Sequence, residues 1–383
     1  MKTVTYRQTS LATALFFAAP GIIYGLFSSR LPILKQQTGA TETDVGLILF
    51  SFGLAAAVSL ALTPVIVKWI RVKSILPMGL FLMCAALGLA AFAQSVFSLI
   101  CLLVLVGLGM GALDVTMNMQ GIAIEQEFAK PTLGILHASY SLGGVTGSLL
   151  GSLFAQFQFS LEANFLLPSL TLLFMSLMAR KFLIDSAPTQ ENDSTKPQNR
   201  TFPLLLLGCG VFAFITYAAE GICGDWGSLM LVHEKGAPES SAALAYATTA
   251  GSCFLSRFIA DKLRERFGDF RFALVSALIF IVGATTIVLS TNWAGSLIGF
   301  SVAGFGLGPL VPIVFSFAGR IPGQDPKVAV ATVSFMGYVG LLACPPFFGF
   351  LAHHWNYNAI FITECGIACL CLAFVFLLRS KTK

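Results

Sequence analysis

Charge is what this chain has least of. Asp, Glu, Lys and Arg make up 11% of its 383 residues, against roughly a quarter in soluble domains. A water-facing shell cannot be built from so few charges, which excludes the ordinary soluble fold classes. The spacings that carry chemistry are missing too. Nine cysteines are present, yet no CxxC pair or Cys/His cluster occurs, so neither a zinc site nor a disulfide framework is expected and the thiols read as small apolar side chains. There is no dinucleotide fingerprint, nucleophile elbow or phosphate-binding loop of the ATPase kind. No enzyme, cofactor or metal is therefore expected. The net charge of +5 falls mainly in loops and calls for no nucleic-acid partner.

Long apolar runs are what the chain has instead, and apolar residues reach 56%. About 20 such residues cross the roughly 30 Å of hydrocarbon in a bilayer as a helix. Backbone groups in that layer must satisfy one another, and runs of this length fit helices, whereas barrel strands are shorter. The runs lie at 9–31, 45–67, 74–93, 96–118, 132–155, 161–184, 202–223, 239–260, 270–290, 294–317, 328–351 and 355–378. They predict an all-α membrane protein of twelve transmembrane helices.

With both termini on one side, only Arg30, Lys35 and Lys235 of the 23 Lys and Arg fall on the other side, leaving 20. That asymmetry predicts cytoplasmic termini, and the compact loops suit a multi-pass protein of a bacterial inner membrane. The first run starts basic and has small residues near Ala18, as a signal peptide does. It continues past Pro20 to Leu31, too long for an h-region, so a retained helix is expected.

One polar, Pro-containing stretch, DSAPTQENDSTKPQNR, begins at Asp185. It predicts a cytoplasmic linker, 185–201, between six-helix bundles at 1–184 and 202–383. An internal repeat agrees with this division. At an offset of 197 residues Gly107, Gly109 and Gly111 fall on Gly304, Gly306 and Gly308, Lys130 on Lys327, and Gly143 on Gly340. An even number of helices per half makes the repeat parallel, with pseudo-symmetric halves related by an axis along the membrane normal.

GLGMGALDVTMNMQG at 107–121 and LHASYSLGGVTGSLLG at 136–151, with EGICGDWGSLML at 220–231 and SRFIADKLRERFG at 256–268, resemble the major facilitator superfamily (MFS). Within it, the likeness is to fucose-permease-like sugar:proton symporters and their bacterial relatives. The resemblance implies the MFS fold, alternating access around a cavity lined mainly by the first, fourth, seventh and tenth helices, a small-molecule substrate, a proton (less readily sodium) as coupling ion, and a monomer. The family's charged loop motif is lost after the second span, where Pro64 holds the repeat position of Asp261. The second copy, Arg257, Asp261, Arg264 and Arg266, is expected to form a cytoplasmic latch or else a solvated charge run. Gly143, Gly147, Ser148 and Gly151 resemble an antiporter motif, with Ser in place of its Pro, and read as close helix packing.

Ionisable residues inside spans carry the sharper expectations, because an Asp near a span centre costs about 2.5–3.5 kcal/mol. Asp114 shares a stripe with Gly107, Gly111 and Asn118. It is placed either for coupling and substrate binding, as the fourth-helix carboxylate of fucose permease would imply, or, one turn from the cytoplasmic end of its span, as a brace to Arg71. The companion acid expected in the first helix is absent from Phe16 to Arg30. His137 opens a stripe with Ser141, Gly144 and Ser148, suited to proton coupling or to packing. Tyr140 and Tyr217 offer aromatic surface with a hydroxyl. Glu220, Asp225 and Trp226 are placed near the outer end of the seventh span, where the resemblance implies an outer gate with Arg30; interfacial charges with a Trp anchor are the alternative. Glu364, inside the last span, has no expected role. The functions left open are uptake of a small polar, sugar-like solute by proton symport, drug or metabolite efflux by proton antiport, and a non-transporting receptor.

Overall fold

The computed structural model describes residues 4–130, 132–185, 204–321 and 326–379, less the side chains of 134, 261, 326–328, 330, 331 and 377–379. Among the described residues there are helices and no strands. Ten of them, taken with their continuations, are long and apolar enough to cross a membrane. The chain packs as two units, 1–190 with 238–247, and 191–237 with 248–383. The segment expected as a linker lies outside the described residues beyond Asp185.

The first unit holds α1 (Tyr6–Thr38), α2 (Glu42–Ile66), α3 (Val72–Ala90), α4 (Val96–Phe128), α5 (Leu133–Gln156) and α6 (Leu161–Ala179). Thr5 with Gln8, Thr41 with Asp44 and Ser95 with Ser98 form reciprocal caps that start α1, α2 and α4; each satisfies two backbone N–H groups that helix geometry leaves orphaned. α1 stops at Gly39, whose φ of 65° suits a residue without Cβ. Helix α1 packs on α5, and α4 on α2 and α3. Glu125 of α4 accepts from the N–H groups of Thr132 and Leu133 at 2.7 and 3.0 Å, which caps α5. Arg71 pairs with Asp185 at 2.9 Å and Lys73 donates to the Leu183 carbonyl, tying down the end of this segment.

The second unit begins with α7 (Leu204–Gly221), which passes through a π turn (Ile222–Trp226) into α8 (Gly227–His233). The short α9 (Glu239–Ala242) and the start of α10 (Leu244–Phe267) pack with the first unit; the rest of α10 belongs to the second. There follow α11 (Asp269–Leu289), α12 (Trp293–Leu307), α13 (Leu310–Ala318), α14 (Pro326–His354) and α15 (Tyr357–Arg379). Here α7 packs on α14, and α11 on α12 and α15. Pro345 and Pro346 lie inside continuous α14. Lys235 donates to the carbonyls of Val288 and Ser290 at 3.1 and 2.7 Å. It so covers the last turn of α11, and burial holds its amine below the usual lysine range.

The repeat reaches individual contacts. A Cβ on Gly107 or Gly111 would collide with the carbonyls of Phe52 and Ala56, and one on Gly304 or Gly308 with those of Thr249 and Cys253. A Cβ on Gly109 would lie 2.6 Å from the Gly79 carbonyl, and one on Gly306 2.6 Å from that of Ser276. Each partner in the second unit lies at the same 197-residue offset from its counterpart. Small residues let helices approach to backbone contact where lipid supplies no hydrophobic drive. Gly143 and Gly147 do the same for α5, against Ala18 and Ile22 of α1.

Two expected spans, α5 and α10, are not among the ten apolar helices. His, Ser, Tyr and Gly dilute α5, and Arg257 to Arg266 dilute α10.

Candidate functional site

Asp114 sits near the middle of the 33-residue α4. The one-turn distance expected for Asp114 from sequence holds for the end of the apolar run at 118, but the helix itself runs on through the polar segment to Phe128. Among the described residues its half-buried carboxylate has no hydrogen bond or ion pair, and Arg71, the brace weighed from sequence, pairs with Asp185. Asn118 spends an amide N–H on the Asp114 backbone carbonyl at 2.8 Å. That bond fixes the Asn118 rotamer one turn below and leaves the carboxylate oxygens open.

On α5 the polar stripe is graded. His137 is exposed, Ser141 half-buried, and Gly144 and Ser148 buried. It lies opposite the exposed apolar face of Ile135, Leu142, Leu149 and Leu153, so two surfaces of different character run along one helix. The His137 ring meets Phe17 edge-on, centroids 5.1 Å apart. Tyr140 is half-buried and its carbonyl touches Gly21. In the same unit the Tyr24 and Tyr246 rings meet at 4.9 Å.

Arg30 is 4% exposed. Its ion-pair partner is Glu239, 3.8 Å away, and its Nε and Nη1 have no hydrogen-bond partner. Glu220 is not at a helix end: the π turn carries the seventh span on to His233, so Glu220 lies near the middle of a continuous Leu204–His233 segment. There it meets Arg257, whose Nη2 lies 3.3 and 3.4 Å from its two carboxylate oxygens and whose Nε donates to the Gly308 carbonyl at 2.9 Å. One guanidinium so joins α7, α10 and the end of α12. Its geometry places Arg257 mid-helix and not in a charged loop. Tyr217 lies 5.7 Å from Tyr338, ring to ring.

Asp225 is 7% exposed and Trp226 fully buried, its indole 6.4 Å from the Tyr357 ring. Neither stands at an exposed interface. Burial follows from the π turn, which wraps both side chains into the second unit. The charged cluster at the end of α10 is built on residues sequence reading missed. Asp269 accepts from Arg264 at 2.8 Å and also from Arg320, and Arg264 reaches Ser316 at 3.0 Å. Arg266 is exposed and stacks over Phe267. The side chain of Asp261 lies outside the described residues. Among those described, no three His, Cys, Asp or Glu gather as metal ligands would.

Long apolar helices sutured by glycines, with a carboxylate inside a spanning helix of each unit, are the build of a polytopic membrane protein. The family model of the major facilitator superfamily matches residues 10–325 and again 206–383. The chain belongs to that superfamily, and secondary transport across a membrane is its class of activity.

It is 25% identical over 374 residues to an uncharacterised MFS-type transporter of Yersinia pestis, covering 97% of this chain and 93% of that protein. The membrane protein MosC of Rhizobium meliloti is 24% identical over 376 residues, with 97% and 90% covered. Among solved structures, a variant of the nucleoside transporter NupG superposes with a TM-score of 0.78 at 13% identity, over 99% of this chain and 100% of that one. The MFS transporter FucP in its outward conformation gives 0.63 at 18% identity, over 99% of both.

Proposed function

We propose that this transporter takes up a small polar, sugar-like solute by alternating access coupled to entry of protons. It works as a monomer in a bacterial inner membrane with both termini cytoplasmic. Asp114 carries the reading. A carboxylate in the middle of a span, without a cation beside it among the described residues, is costly unless it faces water, solute or a proton. Proton uptake lowers that cost, and release restores the charge that attracts a polar solute. His137 and Ser141 extend a polar surface along α5, and the Tyr217–Tyr338 pair offers rings for the apolar face of a sugar or nucleoside. Arg30 with Glu239 serves as a gate pair, weak enough at 3.8 Å to open in each cycle. The Asp269–Arg264–Arg320 cluster serves as the cytoplasmic latch.

The test is a thermal-shift screen of the detergent-purified protein against sugars, polyols, nucleosides, amino acids and lipophilic cations. A ligand at 100 times its dissociation constant stabilises the fold by about 2.7 kcal/mol. Stabilisation by sugars or nucleosides supports the reading; stabilisation confined to lipophilic cations replaces it with efflux by antiport.

A further inference from the structure

Glu364 takes no part in the scheme above, yet among the described acids it is the most completely buried. Its side chain is 0% exposed in the interior of α15. One carboxylate oxygen, Oε1, accepts from the Cys223 thiol at 3.0 Å, and Oε2 has no partner. Around α15 pack α7, the π turn, α8, α11 and α14. The titratable groups beside the carboxylate are Cys223 from the π turn and Cys365 on α15 itself; farther off, behind Cys223, lie Cys253 and Glu220, whose charge Arg257 already pairs. Among the described residues no cation pairs with Glu364 itself.

A thiol is a weak donor, and an ionised carboxylate held by one weak donor and no counter-charge is expensive in such surroundings. The neutral acid has an O–H to give. Its neighbour is the one stretch of the α7–α8 segment where the regular ladder is broken, because a π turn shifts hydrogen bonds to the fifth residue and loosens carbonyls from their usual donors. This turn is held at both sides. Before it, Glu220 is bound to Arg257. After it, Glu234 accepts from the Tyr357 N–H and the Asn358 amide, both at 3.0 Å, and clamps the start of α15.

We propose that Glu364 is a second proton-binding site, separate from Asp114, whose protonation sets the conformation of the π turn between these two clamps. This deepens the proton-coupled reading and rests on it for its part in transport. Proton binding itself needs no solute, so it is tested independently.

The experiment is difference infrared spectroscopy of the full chain in liposomes, following the C=O stretch of protonated carboxyl groups while pH is varied. The proposal predicts a band at neutral pH that is lost in Glu364→Gln, kept in Asp114→Asn, and bleached as pH rises within the range where the fold survives. Cys223→Ala, which removes the thiol donor, shifts the band and covers the case in which Glu364→Gln does not fold. A spectrum in which neither substitution alters any band overturns the proposal. So does a Glu364 band that never responds to pH, which makes the residue a fixed structural acid. If solute uptake proves independent of protons, the Glu364 band stands or falls unaffected.

Discussion

Adding one methyl group in each unit tests the helix sutures on which the fold depends. Gly107→Ala and Gly304→Ala place a Cβ against the carbonyls of Phe52 and Thr249, in the second case 2.5 Å from the oxygen. Ser252 Oγ, beside the Gly304 position, can rotate away, but both carbonyls are backbone and cannot. Two effects oppose one another. Alanine in a helix interior gains up to about 1 kcal/mol over glycine, whereas forcing an extra carbon into a packed contact costs about 1–3 kcal/mol.

Gly366 supplies the control. It lies inside α15 with nothing within 4 Å of its would-be Cβ, so Gly366→Ala keeps the gain without the clash. The two suture variants should therefore be less stable than Gly366→Ala by about 1–3 kcal/mol, and less stable than the parent. The assay is loss of the monodisperse peak on size exclusion after heating the detergent-solubilised protein. Suture variants that survive heating as well as Gly366→Ala would refute the close approach in both units.

Arg257→Lys keeps a charge near Glu220 but lacks the planar fork that also reaches the Gly308 carbonyl. With both partners about one-third exposed, we expect a stability loss of about 1–2 kcal/mol, less than the 3–5 of a fully buried pair, measured by the same heating assay; Glu220→Gln should lose a similar amount. Asp114→Asn should abolish proton-driven accumulation while solute counterflow persists, and unaltered accumulation in a folded variant removes Asp114 from coupling. His137→Ala should weaken solute affinity several-fold by thermal shift, and full affinity returns the ring to packing against Phe17.

Where a feature is periodic and apolar, the sequence carried it. The glycine repeat at 197 residues is found again as matched carbonyl contacts in the two units, and the family likeness read from 107–121 and 136–151 agrees with the family match. Hydropathy failed where helices leave the apolar regime without ending. It closed the fourth span at 118, although α4 continues through Glu125 to Phe128, and the seventh at 223, although the π turn continues it to His233. Both errors displaced a functional candidate, Asp114 and Glu220, toward a helix end.

Pairings between distant positions, Glu220 with Arg257 or Arg30 with Glu239, have no local pattern to announce them. Asp269 and Arg320 were legible only as ordinary loop charges. Glu364 stood out by its place in a span, but its partner Cys223 lies 141 positions away in sequence.

The most direct test of proton-coupled uptake is to load liposomes containing this protein with a pH-sensitive dye and add outside the solute that stabilises it. The account predicts that solute entry acidifies the interior, and that Asp114→Asn liposomes do not respond. Solute entry with no change of internal pH, or with the interior turning alkaline, would contradict it.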